Sequence, residues 1–258
     1  MMQQAQKLKS FDAIISRLEN LFTEPDQVEI LNTYKTPKGE YPLIKIVLGK
    51  GNPRRALISA GIHGDEPGGV ESICSFLEQN CFTPYKNEWE VTLLPCINPY
   101  GYEFGVRENY EGKDLNRLFK VDEPPLEVSF AQSFLNTSFD LTIELHEDNE
   151  SSGYYLYQKG LDDKEDALGF EILRSVESIM PINLNNEIDG SKAHKGIIEK
   201  DIDISNMDWW PMAFYGLSKG ARKVLTLETA TQFDLETRIQ AHLTAIQTAL
   251  KHFSGDTI

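Results

Sequence analysis

The feature that most constrains the fold is a series of short apolar runs separated by stretches with helical spacing. Arg55 to Gly61, Trp89 to Cys96, Phe139 to Leu145 and Lys223 to Leu227 are dominated by apolar residues and are too short for ordinary helices. Runs of this kind read as strands buried on both faces. Between and after them lie helical patterns. Pro67 opens one that runs to about Leu77, since proline is tolerated in the first turn; others are Leu126 to Leu135, Asp163 to Ile179 with an acidic start, and Leu235 to Phe253. A sheet buried on both faces needs helices above and below it. The expected architecture is therefore a three-layer α/β/α sandwich around a mixed, mostly parallel central sheet.

Residues 1–50 lead into this unit. Leu8, Phe11, Ile14, Ile15, Leu18, Leu21 and Phe22 recur at helical spacing, and Val28 to Tyr34 and Tyr41 to Leu48 read as strands joined through Pro37-Lys38-Gly39. Asn52-Pro53 breaks the chain before the first core strand. Asn98-Pro99-Tyr100-Gly101 reads as irregular and Tyr154 to Tyr157 as a short strand, while Ile182 to Asp203 is polar and yields no element. With no internal repeat, low-complexity tract or linker, 258 residues are expected to form one domain.

Charge narrows the partners. A net charge of −15 lacks the basic face that a phosphate backbone requires, so no nucleic-acid partner is expected. It also makes any arginine drawn into a pocket informative. The three cysteines form no CxxC pair; Cys74 lies in an apolar helical pattern and Cys96 at a strand end, the positions of small buried hydrophobes. The N-terminus lacks the apolar core of a signal peptide, and no apolar run is long enough to span a membrane. A cytoplasmic location and no membrane partner are the expectations.

His63, His146 and Glu228 each directly follow a predicted strand. Open α/β sheets bind ligands in the crevice beyond the carboxyl ends of their strands, so one site explains three such side chains better than coincidence. In His63-Gly64-Asp65-Glu66 an imidazole and a carboxylate stand three residues apart. With His146 they make a His2Glu set, a combination that holds one catalytic zinc ion and leaves a position for water. Taken singly, each has an ordinary reading: Glu66 as a helix-start carboxylate favoured by the dipole, His146 as a strand-end histidine.

Further along lie Asn98-Pro99-Tyr100-Gly101, then Arg107, then Asp114-Leu115-Asn116-Arg117. With these the sequence resembles the zinc carboxypeptidase family, which combines HxxE, NPxG, a lone arginine, DxNR, a distant histidine and a late glutamate in this order. The resemblance covers roughly Leu57 to Thr231. It implies that His63, Glu66 and His146 hold zinc, and that Arg107 polarises the scissile carbonyl and steadies the developing oxyanion. It implies that Asn116 and Arg117 grip a substrate carboxylate. Glu228 would activate water and protonate the leaving amine, and Asp114 would accept a hydrogen bond from the first zinc histidine. A guanidinium fits a carboxylate bidentately, and a carboxylate can shuttle a proton, so each role is chemically sound. Without the family pattern, Arg107 and Arg117 would read as surface charges paired with Glu108 or Asp114.

The activity so implied is a zinc metallocarboxypeptidase hydrolysing a C-terminal peptide bond. HGxE and the overall length are also similar to the succinylglutamate desuccinylase and aspartoacylase branch, which removes an acyl group from an amino acid, and are compatible with a murein-peptide amidase. The substrate would be a peptide or an N-acyl amino acid with a free carboxylate. A binding protein that has lost catalysis would lack a ligand or the base, and none is missing. Tyr215 stands where many members of the family carry a loop tyrosine that closes over the substrate, but beside Trp209, Trp210, Pro211, Met212 and Phe214 it reads equally as core, and it is assigned no role. His194 reads as an exposed loop residue, and His242 and His252 as structural or solvated. Glu144, Glu147, Asp148 and Glu150 read as a solvated acidic loop around His146, with a second metal near Glu147 and Asp148 left open.

Overall fold

The computed structural model describes residues 8–21, 28–160, 167–198 and 204–253. In chain order, α1 (Phe11–Leu21) precedes a hairpin of β1 (Val28–Thr36) and β2 (Gly39–Leu48), followed by β3 (Arg54–Ala60), α2 (Pro67–Glu78) and β4 (Trp89–Leu94). Then come α3 (Pro99–Phe104), α4 (Leu126–Leu135), β5 (Leu141–Asp148), β6 (Tyr155–Gly160) and α5 (Ala167–Val176). Three two-residue strands follow, β7 (Glu187–Ile188), β8 (Ser191–Lys192) and β9 (Ile197–Ile198), and α6 (Met212–Ser218), β10 (Lys223–Ala230) and α7 (Leu235–His252) close the chain.

Eight strands form the central sheet in the order β1-β2-β4-β3-β5-β10-β6-β9, with β7 and β8 paired apart. The central pairs β4-β3, β3-β5 and β5-β10 are parallel, as is β6-β9. The remaining pairs, β1-β2, β2-β4 and β10-β6, are antiparallel. The sheet is thus mixed, and parallel where it is most deeply buried.

Alternation along the central strands sorts side chains between two layers. Ala56, Ile58, Leu141, Ile143, Leu145, Leu225 and Leu227 pack with α1, α2, α5 and α7. Leu57 and Leu94 instead join Val128, Ala131 and Leu135 of α4 and Met212 of α6 on the opposite face. The chain runs from β3 to β4 on one side and returns to β5 on the other. That reversal opens a crevice at the carboxyl ends of β3 and β5, where ligands bind in sheets of this type.

The structure differs from the sequence reading in four places. The segment after Asn98 is helical: the Asn98 side chain accepts from the Gly101 N–H at 2.9 Å, Pro99 occupies the first turn, and Gly105 ends the helix at φ 63°. The helix α6 emerges from the aromatic group around Trp209. Strand β5 runs on through His146 to Asp148, because β10 pairs with it as far as Ala230. Ile182 to Ile198 is shaped by β7, β8, β9 and a bridge from Ile182 to Tyr154, while α5 begins at Ala167 and the Asp163 start lies outside the described residues.

Candidate metal centre and substrate cleft

The metal group is assembled at the reversal point. After β3, Gly61 turns the chain at φ 62°, His63 follows, and Glu66 is the N-cap residue of α2 with Pro67 in the first turn. Gly64 fixes this turn against its neighbour. A Cβ there would lie 1.9 Å from the Gly101 carbonyl carbon, so only glycine lets the two loops approach this closely. The Gly64 N–H also donates to the Arg107 carbonyl at 3.4 Å, tying the His63 turn to the segment that carries Arg107.

His146 arrives from β5 and not from the loop after it. Counting back in steps of two, His146, Glu144 and Thr142 share the face opposite Leu145, Ile143 and Leu141. His63 Nδ1 lies 2.7 Å from Glu66 Oε1, and His146 Nδ1 lies 2.8 Å from Glu66 Oε2. All three residues are buried, and one ligand atom from each falls within 4.8 Å of the others. Burial alone would push the Glu66 carboxyl up, but His146 and His63 on either side hold it well below the usual carboxylate range. Asp114 Oδ1 sits 3.3 Å from His63 Nε2. A hydrogen bond from Nε2–H to that carboxylate leaves the Nδ1 lone pair directed at the group, the arrangement that orients a ligating histidine. Two imidazole nitrogens and a carboxylate so disposed fit a divalent metal ion.

Arg107 lies beside this group. Its Nε and Nη2 each donate to Asp114 Oδ2 at 3.1 Å, and Nη1 is 3.5 Å from Glu66 Oε1. Asn116 and Arg117 come from the following turn, where the Asp114 carboxylate caps the Asn116 N–H at 3.0 Å. Asn116 Oδ1 accepts from the Met212 N–H at 2.9 Å, which leaves the Nδ2 donors to face the cleft. Arg117 has no carboxylate within ion-pair distance among the described residues; Nη1 donates to the Asn116 carbonyl at 3.2 Å. Its guanidinium lines the cleft, where a planar fork of N–H donors suits a carboxylate.

Glu228, on β10, stands in register with His146 of β5 and with Tyr155 of β6. It is half-buried and faces the cleft. Burial pushes its carboxyl well above the usual range, against an opposing pull from His146. The cleft has a volume of about 950 Å³ and gathers His63, Glu66, His146, Arg107, Asn116, Arg117 and Glu228 on its walls. Asp114 stands just behind the His63 ring.

The acidic group around His146 is not a solvated loop. Glu144 is buried on the His146 side of β5, with Oε2 3.8 Å from His146 Nε2, and burial pushes its carboxyl up. Glu147 turns to the helical side. It accepts from the Gly68 N–H at 2.7 Å and from Thr229 Oγ1 at 3.3 Å, and it pairs with Arg238 of α7. Asp148 accepts from the Tyr155 hydroxyl at 3.0 Å, and Glu150 is exposed. His242 is fully buried and donates from Nε2 to the His146 carbonyl at 3.2 Å; burial pushes its ring down to about 3, so it is neutral. Tyr215 lies in α6 with its hydroxyl on Asn136, away from the cleft, and His194 is exposed. Period-two counting back from His146 points to Glu144; the role of Glu147 depends on α7, almost a hundred residues on, and no local signal carries it.

Residues 52–252 match the model of the succinylglutamate desuccinylase/aspartoacylase catalytic domain. Murein peptide amidase A of Escherichia coli is 38% identical over 78 residues, 30% of this chain and 31% of that protein, so the match spans about a third of that relative. A provisionally named metallopeptidase of Shewanella denitrificans superposes with a TM-score of 0.76 at 22% identity, over 94% of this chain and 90% of the other. A metallo-carboxypeptidase of Pseudomonas aeruginosa in complex with (2-guanidinoethylmercapto)succinic acid gives 0.68 at 15% identity, over 95% and 69%. At these identities the structural likenesses establish a shared fold.

Proposed function

The chain belongs to the succinylglutamate desuccinylase/aspartoacylase family of catalytic domains, and from that premise we propose a zinc-dependent hydrolase that cleaves the amide bond next to a carboxylate-bearing residue, acting as a carboxypeptidase. His63, Glu66 and His146 would hold the zinc ion, which when bound supplies a Lewis acid and acidifies water. The observation that carries the reading is the register of Glu228 beside His146, on a cleft that also holds Arg117, which has no carboxylate within ion-pair distance among the described residues.

Each protein group then has a defined task. Glu228, its carboxyl raised by burial, takes a proton from the attacking water and returns it to the leaving amine. The water oxygen bonds to the carbonyl carbon as the C–N bond breaks. Arg107 stabilises the negative charge that develops on the carbonyl oxygen, worth a few kcal/mol at the transition state. Arg117 and Asn116 Nδ2 hold the substrate carboxylate and set the scissile bond against Glu228. Asp114 keeps the His63 ring in the ligating tautomer.

Family membership favours a second substrate form, an N-acyl amino acid in place of a peptide. The two share the carboxylate and the amide and differ in what lies beyond it. A panel of peptides with free C-termini, N-acyl amino acids and murein peptides, assayed after zinc loading, separates them. Release of a C-terminal residue from peptides is expected, abolished by chelation and restored by zinc. Turnover confined to N-acyl amino acids would replace the carboxypeptidase reading by the deacylase one, and turnover unaffected by chelation would remove the metal from both.

A further inference from the structure

The cleft holds a contact that none of these roles uses. The Arg117 guanidinium carbon lies 4.2 Å from the centre of the Trp209 indole ring, a face-on cation–π stack. Trp209 is 39% exposed and lines the cleft with Arg117. One face of the indole is covered by the Arg117 guanidinium, which has no carboxylate within ion-pair distance among the described residues.

The segment carrying Trp209 is laced to the segment carrying Arg117. The Met212 N–H donates to Asn116 Oδ1, the Phe119 N–H donates to the Trp210 carbonyl at 3.3 Å, and Lys120 Nζ donates to the Met207 carbonyl. Trp210 Nε1 is itself held by the Ile204 carbonyl at 2.7 Å. Residues 207–212 and 116–120 are therefore tied together on either side of Trp209, which brings the indole to the guanidinium.

We propose that Trp209 is a positioning residue for substrate recognition: its indole face holds the Arg117 guanidinium plane so that the open edge of the fork meets the substrate carboxylate. An unrestrained arginine side chain would lose its rotamer freedom only on binding. Stacking restricts it beforehand, and does so without a carboxylate in ion-pair contact that would compete with the substrate anion. This inference rests on the carboxylate role assigned to Arg117 above.

Calorimetric titration of the zinc-loaded protein with succinate and with the neutral succinamide tests it without turnover. Wild type is expected to bind succinate better than succinamide. Trp209→Ala is expected to weaken succinate about 3- to 30-fold, the range that a cation–π stack spans, and to leave succinamide unchanged. Trp209→Phe, which keeps an aromatic face, is expected to restore succinate binding to within about threefold. Equal loss for both ligands would make Trp209 a plain apolar wall and overturn the proposal, as would unchanged succinate binding in Trp209→Ala. A wild type that does not distinguish the two ligands would instead remove the carboxylate role of Arg117, and the proposal with it. Thermal melts of both variants establish that they are folded.

Discussion

Leu227 and Glu228 are neighbours in the chain and opposites in environment. Leu227 is fully buried in the apolar layer under α1, α2, α5 and α7, whereas Glu228 opens onto the cleft on the side of α4 and α6. The same division runs along β5, where Leu141, Ile143 and Leu145 face one way and Thr142, Glu144 and His146 the other. One face of the sheet is packed hydrocarbon, and the other, towards the strand ends, collects titratable groups. The difference teaches that stability and chemistry are written on alternate residues of the same strands.

Substitutions on the two faces should therefore separate activity from stability. The largest effect belongs to Glu228→Gln, expected to lower kcat about 10²- to 10⁴-fold, the usual worth of a general base, with zinc content and melting temperature near those of wild type. Steady-state kinetics beside metal analysis checks it, and full turnover would end the general-base role. Arg238→Ala comes next. It leaves Glu147 buried without its cation, which for a buried ion pair costs about 3–5 kcal/mol. Because the same carboxylate caps Gly68 at the start of α2, two residues after Glu66, weaker zinc retention should accompany the lower denaturation midpoint.

Leu227→Ala is the converse of the first variant. A cavity in the apolar layer is expected to cost about 2–5 kcal/mol, read by urea denaturation, with kcat of the folded fraction little changed. A large loss of kcat at unchanged stability would break the division between faces. The smallest effect is expected from Glu127→Gln. Glu127 is buried on the α4 side, holds Asn109 at 3.1 Å, and has its carboxyl raised by burial. A raised carboxyl stabilises the fold in acid, below the ordinary carboxylate range, and that contribution is lost as pH rises through its folded value. The glutamine variant should therefore gain on wild type as pH rises. Melting curves at several pH values test the sign.

The face towards α1, α2, α5 and α7 is the more legible in the sequence. Continuous apolar runs announce β3, β4, β5 and β10, because strands buried on both sides need apolar residues throughout. The last residues of β5 escaped that reading: His146, Glu147 and Asp148 are polar because they meet Glu66, Arg238 and Tyr155 and not the core. Helix α6 is too short to show a period, and proline and glycine around Asn98 mask the cap that starts α3. His63, Glu66, His146, Arg107, Asn116, Arg117 and Glu228 were legible as an ordered set, and the fold brings them to one cleft. Glu144, Glu147 and Trp209 were not, since each owes its place to a partner that the chain supplies elsewhere.

The pairing of β5 with β10 acts as a ruler. Adjacent strands sit about 4.8 Å apart, a spacing set by backbone hydrogen bonds and indifferent to side chains. The offset between His146 and Glu228 is thus held by the backbone, while Trp209 and the residues around it ride on the segment between Ile204 and Met212. If Arg117 and Trp209 act as proposed, replacing that segment retunes which carboxylate-bearing molecule is accepted while the ruler stays untouched. A scaffold built this way can change its customers without relearning its trade.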